Sequence, residues 1–320
     1  MGKRADRPAK GPSNGPADSP AEGRSSPATP RSAGEMLRMG REFLARKQIP
    51  EARLDAELLV AHALGLDRLR LFLDLDRPLS AEDVSRGRAL LARRAQHEPV
   101  GYITGRREFY GRSFAVDSAV LIPRPETELL VDRARDLVRV RGLEAPRILD
   151  VGTGSGAIAI SLALALPAAR VVAVDISAAA LVVARANARE LRVGANQVEF
   201  IEGDGALAAR GRGPFDFVLS NPPYIALEAR ESLSPSVRDH EPALALFAPA
   251  GDPHHWLRRL LDESASLLVP GGVLLVEIGY DQGAVALELA KGRGLSARVH
   301  ADLEKQPRML EVSAASAAAP

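Results

Sequence analysis

Residues 147–175 read RILDVGTGSGAIAISLALALPAARVVAVD. Residues 148–151 form a short apolar run that suits a buried strand. Three glycines follow at alternate positions, and an apolar helix pattern then fills 156–166. A second apolar strand, 171–174, ends at Asp175. Strand, glycine turn, helix and strand in this order make a βαβ unit, whose strands lie parallel. The glycines let the backbone turn tightly and come close to a ligand, with a helix N-terminus behind them.

Outward from this unit the alternation continues. Helix patterns cover 126–140, 177–191, 256–268 and 282–290. Strand patterns cover 198–201, 215–219, 273–278, 296–301 and 308–312. The expected fold class is α/β: a Rossmann-like, mostly parallel sheet with helices on both faces. Upstream, only helical periodicity is visible from 35 to 97. Ser32 with Glu35, and Ser80 with Asp83, have capping-box spacing. Residues 98–122 carry β-formers such as Val100, Tyr102, Ile103, Phe109 and Phe114, broken by Gly105 and Gly111, and read as a linking hairpin. The expected organisation is a disordered tail at 1–34, a helical domain at 35–97 and the hairpin at 98–122. A larger α/β domain at 123–315 and a short tail at 316–320 complete it. The first tail rests on its repeated prolines and scarcity of large apolar residues.

Composition narrows the function classes. The 320 residues contain no cysteine, which excludes disulfides, thiolate metal sites and a cysteine nucleophile. Lys and Arg total 42 against 41 Asp and Glu, so no global basic field attracts nucleic acid or membrane. No apolar run reaches the roughly 18 residues of a membrane span, and the N-terminus lacks the apolar core of a secretory signal. A cytoplasmic protein is expected. His254 and His255 are adjacent and diverge by about 100° on a helix, so no metal site is expected. Trp256 reads as a packing residue of its helix, and Arg93-Arg94 as a solvated face.

The glycine turn points to a nucleoside-type cofactor. Gly152, Gly154 and Ala157 also satisfy a dinucleotide fingerprint. Asp150, however, stands at the strand end directly before the glycines, where it would repel a pyrophosphate and suit a cationic amino-acid head group. That favours S-adenosylmethionine, held by Asp150, Gly152, Thr153, Gly154, Ser155 and Gly156. Asp175 is placed to accept both ribose hydroxyl hydrogens. Asp204, after the third strand, is a candidate for the adenine amino group, with a turn-capping role as the alternative.

The second motif is Asn221-Pro222-Pro223-Tyr224, at the end of the strand 215–219. Its chance occurrence is on the order of one per thousand chains of this length. The two prolines fix φ and remove two donors, and Pro222 pushes Asn221 out of the helical region. The Asn221 side-chain oxygen and the Pro222 carbonyl then form a rigid pair of acceptors. Tyr224 offers a flat face to a planar group. Such a pair suits an amide or aromatic amine nitrogen, whose delocalised lone pair makes it a poor nucleophile. Holding its two N–H groups aims the lone pair at a methyl donor. Asn221, Pro222 and Tyr224 are the candidate catalytic residues, and Asn221 to Tyr224 the candidate substrate turn; Asn221, and Gly205 beside Asp204, are also candidates for cofactor binding. A nicotinamide oxidoreductase or an inert cofactor-binding adaptor would have no use for this motif.

Together these motifs resemble class I S-adenosylmethionine-dependent methyltransferases acting on amino nitrogens. Within that class the chain is similar to the bacterial peptide-chain release factor glutamine methyltransferases (the HemK/PrmC family). The resemblance covers about residues 35–315. It includes Tyr102-Ile103-Thr104-Gly105, Arg107 to Gly111, Leu121-Ile122-Pro123-Arg124-Pro125-Glu126-Thr127-Glu128, Glu241-Pro242 and Glu277-Ile278-Gly279. It implies a helical domain that docks the release factor and a seven-stranded methyltransferase domain. The implied substrate is the glutamine of a Gly-Gly-Gln loop, methylated on its side-chain amide nitrogen. It also implies that Gly152 to Gly156 and Asp175 hold the cofactor and that Asn221 to Tyr224 hold the amide. Arg124, Glu126 and Thr127 would line the adjoining wall. The same fold and motif could serve a ribosomal-protein glutamine or a nucleic-acid amine. Residues 35–320 carry 36 basic against 38 acidic groups, which argues against nucleic acid. Two departures stand out. Gly205 occupies a position where the family often has an aromatic residue, leaving adenine stacking weaker or supplied elsewhere. Glu304 to Arg308 replaces a Gly-Asp-Arg-like turn.

Overall fold

The structure is a computed structural model that describes residues 29–314. Most of the expected N-terminal tail and the tail at 316–320 lie outside these residues.

A helical unit comes first, built from α1 (Ala33–Arg46), α2 (Ala52–Ala63), α3 (Arg68–Leu73), α4 (Ala81–Arg94) and α5 (Val100–Thr104). At α4 both halves of the capping box form: Ser80 Oγ accepts from Asp83 N–H, and Asp83 accepts from Ser80 N–H, each at 3.1 Å. At α1 only half does. Ser32 Oγ accepts from Glu35 N–H at 3.3 Å, but the Glu35 carboxylate reaches one residue further back, to Arg31 N–H at 2.7 Å. Met36, Leu37, Leu44, Leu59, Leu71 and Leu91 form the buried core of this unit.

Two expectations fail here. Residues 100–104 are helix α5, not strand. Val100 and Ile103 are three residues apart, so a helical turn puts both against the helical core, and that packing overrides their β preference. The hairpin is confined to β1 (Arg106–Phe109) and β2 (Arg112–Ala115). Tyr110 and Gly111 between them have φ of 51° and 66°, as a two-residue type I′ turn requires. Arg94 is not on a solvated face. It is buried, donates to Asp55 Oδ2 at 2.6 Å and reaches Ser236 Oγ at 3.1 Å in the α/β unit.

A 3₁₀ turn, Pro125–Thr127, leads into α6 (Glu128–Arg141). The rest is β3 (Arg147–Val151), α7 (Ala157–Ala165), β4 (Arg170–Asp175), α8 (Ala178–Glu190), β5 (Val198–Glu202) and β6 (Phe215–Ser220). After β6 come two single-turn helices, α9 (Pro235–Arg238) and α10 (Ala243–Leu246). Then follow α11 (His255–Ser264), β7 (Leu268–Glu277), α12 (Gly283–Lys291), β8 (Leu295–Ala301) and β9 (Pro307–Ala314). Among the described residues seven strands form one sheet in the order β5-β4-β3-β6-β7-β9-β8. Neighbours from β5 to β7 are parallel, and β9 runs antiparallel between β7 and β8.

Alternate strand residues serve opposite faces. Ile148, Val171 and Ala173 pack with α6, α7 and α8, whereas Leu149, Val172 and Val174 pack with α11 and α12. The strand expected at 273–278 starts earlier, at Leu268. Pro270-Gly271-Gly272 falls inside it, and the pairing with β6 jumps from Phe215↔Leu268 to Phe217↔Val273. Those turn residues hid the first half of the strand. The order reverses at β3, which has β4 on one side and β6 on the other. A crevice opens there at the carboxyl ends of the strands, where α/β sheets bind ligands.

Candidate functional site

The glycine turn and the Asn221 turn leave neighbouring strands, β3 and β6, and open onto one cleft. Ser220 Oγ donates to the Val151 carbonyl at 2.8 Å and joins the two strands just below it.

On the β3 side, Gly152, Thr153, Gly154 and Ser155 line the cleft. Gly152 and Gly154 have φ of 74° and 56°, where a side chain would be strained. Asp150 and Gly156 are not on the wall. Asp150 is fully buried behind the turn. Its Oδ2 accepts from Thr153 Oγ1 at 2.6 Å and Ala159 N–H at 3.2 Å, while Oδ1 has no partner among the described residues. Burial pushes this carboxyl up to about 7. The residue chosen from sequence to face a cationic head group instead braces the turn from behind. Gly156 serves packing: a Cβ there would lie 2.8 Å from Ile160 Cδ1. Asp175, at the end of β4, lines the cleft. Its two oxygens accept from Gly154 N–H at 2.8 Å and Ser177 N–H at 2.9 Å. Burial raises its pKa against the pull of those hydrogen bonds.

Beyond β5, Asp204 and Gly205 line the far end. The Asp204 carboxylate pairs with Arg259 Nη1 at 2.6 Å, and its carbonyl accepts from Nη2 at 2.9 Å. Glu263 Oε1 takes the Arg259 Nε–H, and its Oε2 accepts from Ala206 N–H at 2.7 Å. A Cβ on residue 205 would stand 2.6 Å from Arg259 Nη2, so the guanidinium occupies the space a side chain there would need. Arg259 lies 5.3 Å over the Trp256 ring, and both line the cleft. Trp256, expected to pack its helix, also faces the cleft. Its exposure in the cleft depends on the tertiary placement of α11, and the sequence carries no signal for it.

On the β6 side, Asn221, Pro222 and Pro223 line the cleft with Thr127. Asn221 Nδ2 donates to Thr127 Oγ1 at 3.1 Å, and Thr127 Oγ1 donates to Glu277 Oε2 at 2.6 Å. Glu277 is 2% exposed, and burial pushes it up to about 7. Tyr224 is not on the cleft wall. Its hydroxyl points at Glu277 Oε1, 3.4 Å away, its carbonyl accepts from Gln282 Nε2 at 3.0 Å, and burial pushes the phenol upward. Arg124 and Glu126 are also off the wall. Arg124 pairs with buried Glu241 at 2.5 Å, whose other oxygen accepts from Ile122 N–H at 3.2 Å. This staple ties the 121–124 segment to the loop after the Asn221 turn. Glu277 and Glu241 were visible in sequence only as parts of short motifs, without a role.

Comparison with known proteins adds a family. A PrmC N-terminal domain model matches residues 35–105, and a methyltransferase small domain model matches 127–234. The chain is 45% identical over 289 residues to the release factor glutamine methyltransferase of Chlorobaculum tepidum, covering 88% of this chain and 97% of that protein. It is 43% identical over 281 residues to the protein of the same name from Cereibacter sphaeroides, covering 87% and 97%. Among solved structures, the catalytic domain of hMettl16 in complex with an MAT2A 3'UTR hairpin superposes with a TM-score of 0.54 at 20% identity. That match covers 70% of this chain and 82% of that one, and shows a shared fold. The glycine turn, the Asn221 turn and the helical unit thus occur together in a chain that matches such relatives almost from end to end, and the chain belongs to the release factor glutamine methyltransferase family.

Proposed function

We propose that the protein transfers a methyl group from S-adenosylmethionine to the side-chain amide nitrogen of the glutamine in the Gly-Gly-Gln motif of class 1 peptide-chain release factors. The observation that carries this reading is the anchored Asn221 turn beside the glycine turn in one cleft.

The residues present fit the cofactor. Asp175 accepts from the backbone N–H groups of Gly154, Ser177 and Ile176, and the acceptor capacity left on its carboxylate faces the cleft for a ribose hydroxyl. The glycine turn admits close approach of the amino-acid portion. At the far end, the Arg259 guanidinium, held by Asp204 and Glu263 and backed by Trp256, is a flat cationic surface for the adenine. It supplies the stacking that Gly205 cannot.

When bound, the cofactor provides an electrophilic sulfonium methyl. The protein's part is orientation. With Nδ2 committed to Thr127, Asn221 presents Oδ1 as an acceptor, and the Pro222 carbonyl is the second. The two hold the N–H groups of the glutamine amide, aim its lone pair and stabilise the positive charge that grows on nitrogen. No strong base acts before attack: as the bond from nitrogen to the methyl forms and the bond from sulfur to the methyl breaks, the sulfur keeps the electron pair and leaves as a neutral thioether, and the methylated nitrogen then releases one N–H proton to solvent. The helical unit docks the release factor, and the enzyme works in the cytoplasm, where that substrate is found. Among the described residues no helix is long and apolar enough to cross a membrane.

The test is methyl transfer to unmethylated release factor, read by peptide mass spectrometry. One methyl on the Gly-Gly-Gln glutamine, absent with Asn221→Ala, supports the reading. Transfer to a ribosomal protein or a nucleic-acid amine, with none to release factor, overturns it.

A further inference from the structure

We propose that Thr127 and Glu277 are positioning residues that decide which end of the Asn221 amide faces the substrate. This rests on the reading that Asn221 accepts a hydrogen bond from the glutamine amide.

An asparagine amide is nearly symmetrical in shape, and its two ends have opposite hydrogen-bonding character. With Oδ1 toward the substrate it accepts an N–H. Turned over, it would oppose donor to donor and repel the substrate nitrogen. The Asn-Pro-Pro-Tyr backbone fixes where the side chain starts but not which way its amide is turned. The neighbour that decides is Thr127, at the end of the 3₁₀ turn Pro125–Thr127. Its hydroxyl has one hydrogen and touches two groups, Asn221 Nδ2 at 3.1 Å and Glu277 Oε2 at 2.6 Å. An ionised carboxylate only accepts, so the Thr127 hydrogen goes to Glu277. The Thr127 oxygen is left as an acceptor, and only the Nδ2 end of Asn221 satisfies it. Glu277 thus orients an amide it never touches.

The relay has a direction. Protonated, Glu277 can donate to Thr127 Oγ1. The Thr127 hydrogen then turns to Asn221 and attracts Oδ1, which reverses the amide. The groups around Glu277 are Thr127 and Tyr224 by hydrogen bond, with Arg308 favouring its charge and Glu126 opposing it. Arg308 spends its guanidinium on Asp302 at 3.2 Å, so burial prevails and raises Glu277 to about 7. Turnover should therefore fall as pH drops through that region, because the oriented state needs the carboxylate ionised.

The experiment compares wild type, Thr127→Val, Thr127→Ser and Glu277→Gln. It measures kcat and KM on unmethylated release factor across pH 5.5–9 and binding of S-adenosylhomocysteine by calorimetry. Thr127→Val should lose kcat by on the order of 10²-fold, with KM and S-adenosylhomocysteine affinity within about twofold; Glu277→Gln, whose amide oxygen can still accept the Thr127 hydrogen, should lose less. Thr127→Ser, which keeps the hydroxyl, should retain near wild-type kcat. The acid limb of the wild-type kcat profile should vanish in Glu277→Gln, which is isosteric and keeps the site filled. Wild-type kcat in Thr127→Val, or an acid limb that persists in Glu277→Gln, overturns the proposal alone. No transfer to release factor by the wild-type enzyme, with S-adenosylhomocysteine still bound, overturns the substrate reading and this role with it.

Discussion

The two halves of the cleft are built on the same local device with different reach. Each has a buried carboxylate pushed up to about 7 that holds a threonine hydroxyl at 2.6 Å: Asp150 with Thr153, and Glu277 with Thr127. Asp150 and Thr153 are three residues apart, and Asp150 also takes the Ala159 N–H. That device braces a stretch of backbone. Glu277 and Thr127 are 150 residues apart and hold the side chain of Asn221, itself 94 residues from Thr127. The first acts on the shape of a turn, so it should register in stability and cofactor affinity. The second acts on the direction of one amide, so it should register in rate.

The largest test of this contrast is Asn221→Ala. Removing one of the two acceptors for the substrate nitrogen should cost about 10²–10³-fold in kcat. S-adenosylhomocysteine binding, measured by calorimetry, should stay near wild type. Equal losses in both would mean the halves are not separable.

Asp175→Asn should show the opposite pattern. It removes the charge from the ribose acceptor, and a hydrogen bond to a charged group contributes about 1.5–3 kcal/mol. S-adenosylhomocysteine affinity should drop about 10- to 100-fold, with KM for release factor unchanged in a steady-state assay.

Gly205→Ala probes the far end. Position 205 has φ of 75°, and the new methyl would collide with the Arg259 guanidinium. A loss of about 1–2 kcal/mol in denaturant unfolding is expected, with cofactor affinity several-fold weaker. Trp256 is the chain's single tryptophan, so its fluorescence on titration with S-adenosylhomocysteine reports this end directly.

The smallest effect, with its sign reversed, belongs to Asp150→Asn. Burial lifts the folded carboxyl from 3.8 to about 7, so the native state binds more protons than the unfolded chain between those values. Its contribution to stability is therefore favourable at low pH and is lost as pH rises through that window. An asparagine can accept from Thr153 and Ala159 with its oxygen while carrying no buried charge. The variant should be more stable than wild type at pH 8 by about 1–2 kcal/mol, and the gap should close near pH 4 in thermal melts. A variant less stable at both values would show that the charge itself holds the turn.

The same division separates what was legible in the sequence from what was not. The α/β alternation, the glycine turn, Asp175 and the Asn221 turn depend on residues close together in the chain, and period and spacing expose them. Failures came where distant packing took over. Val100 and Ile103 joined the helical core as a helix, Pro270-Gly271-Gly272 concealed the start of β7, and Arg94 was buried against Asp55. Asp150 and Tyr224 stand where the motifs put them along the chain, but their side chains turn to Thr153 and Glu277 rather than line the cleft.

The sequence by itself determined the class of fold, the two motifs and the family they resemble, because local backbone preference and residue chemistry are written in short stretches. The tertiary structure alone decided what stands behind those motifs. It brought Arg259 and Trp256 to the space beside Gly205, and Glu277 through Thr127 to Asn221. A hydrogen bond needs atoms within about 3 Å, and no spacing along the chain reveals which distant residues the fold will bring to that distance.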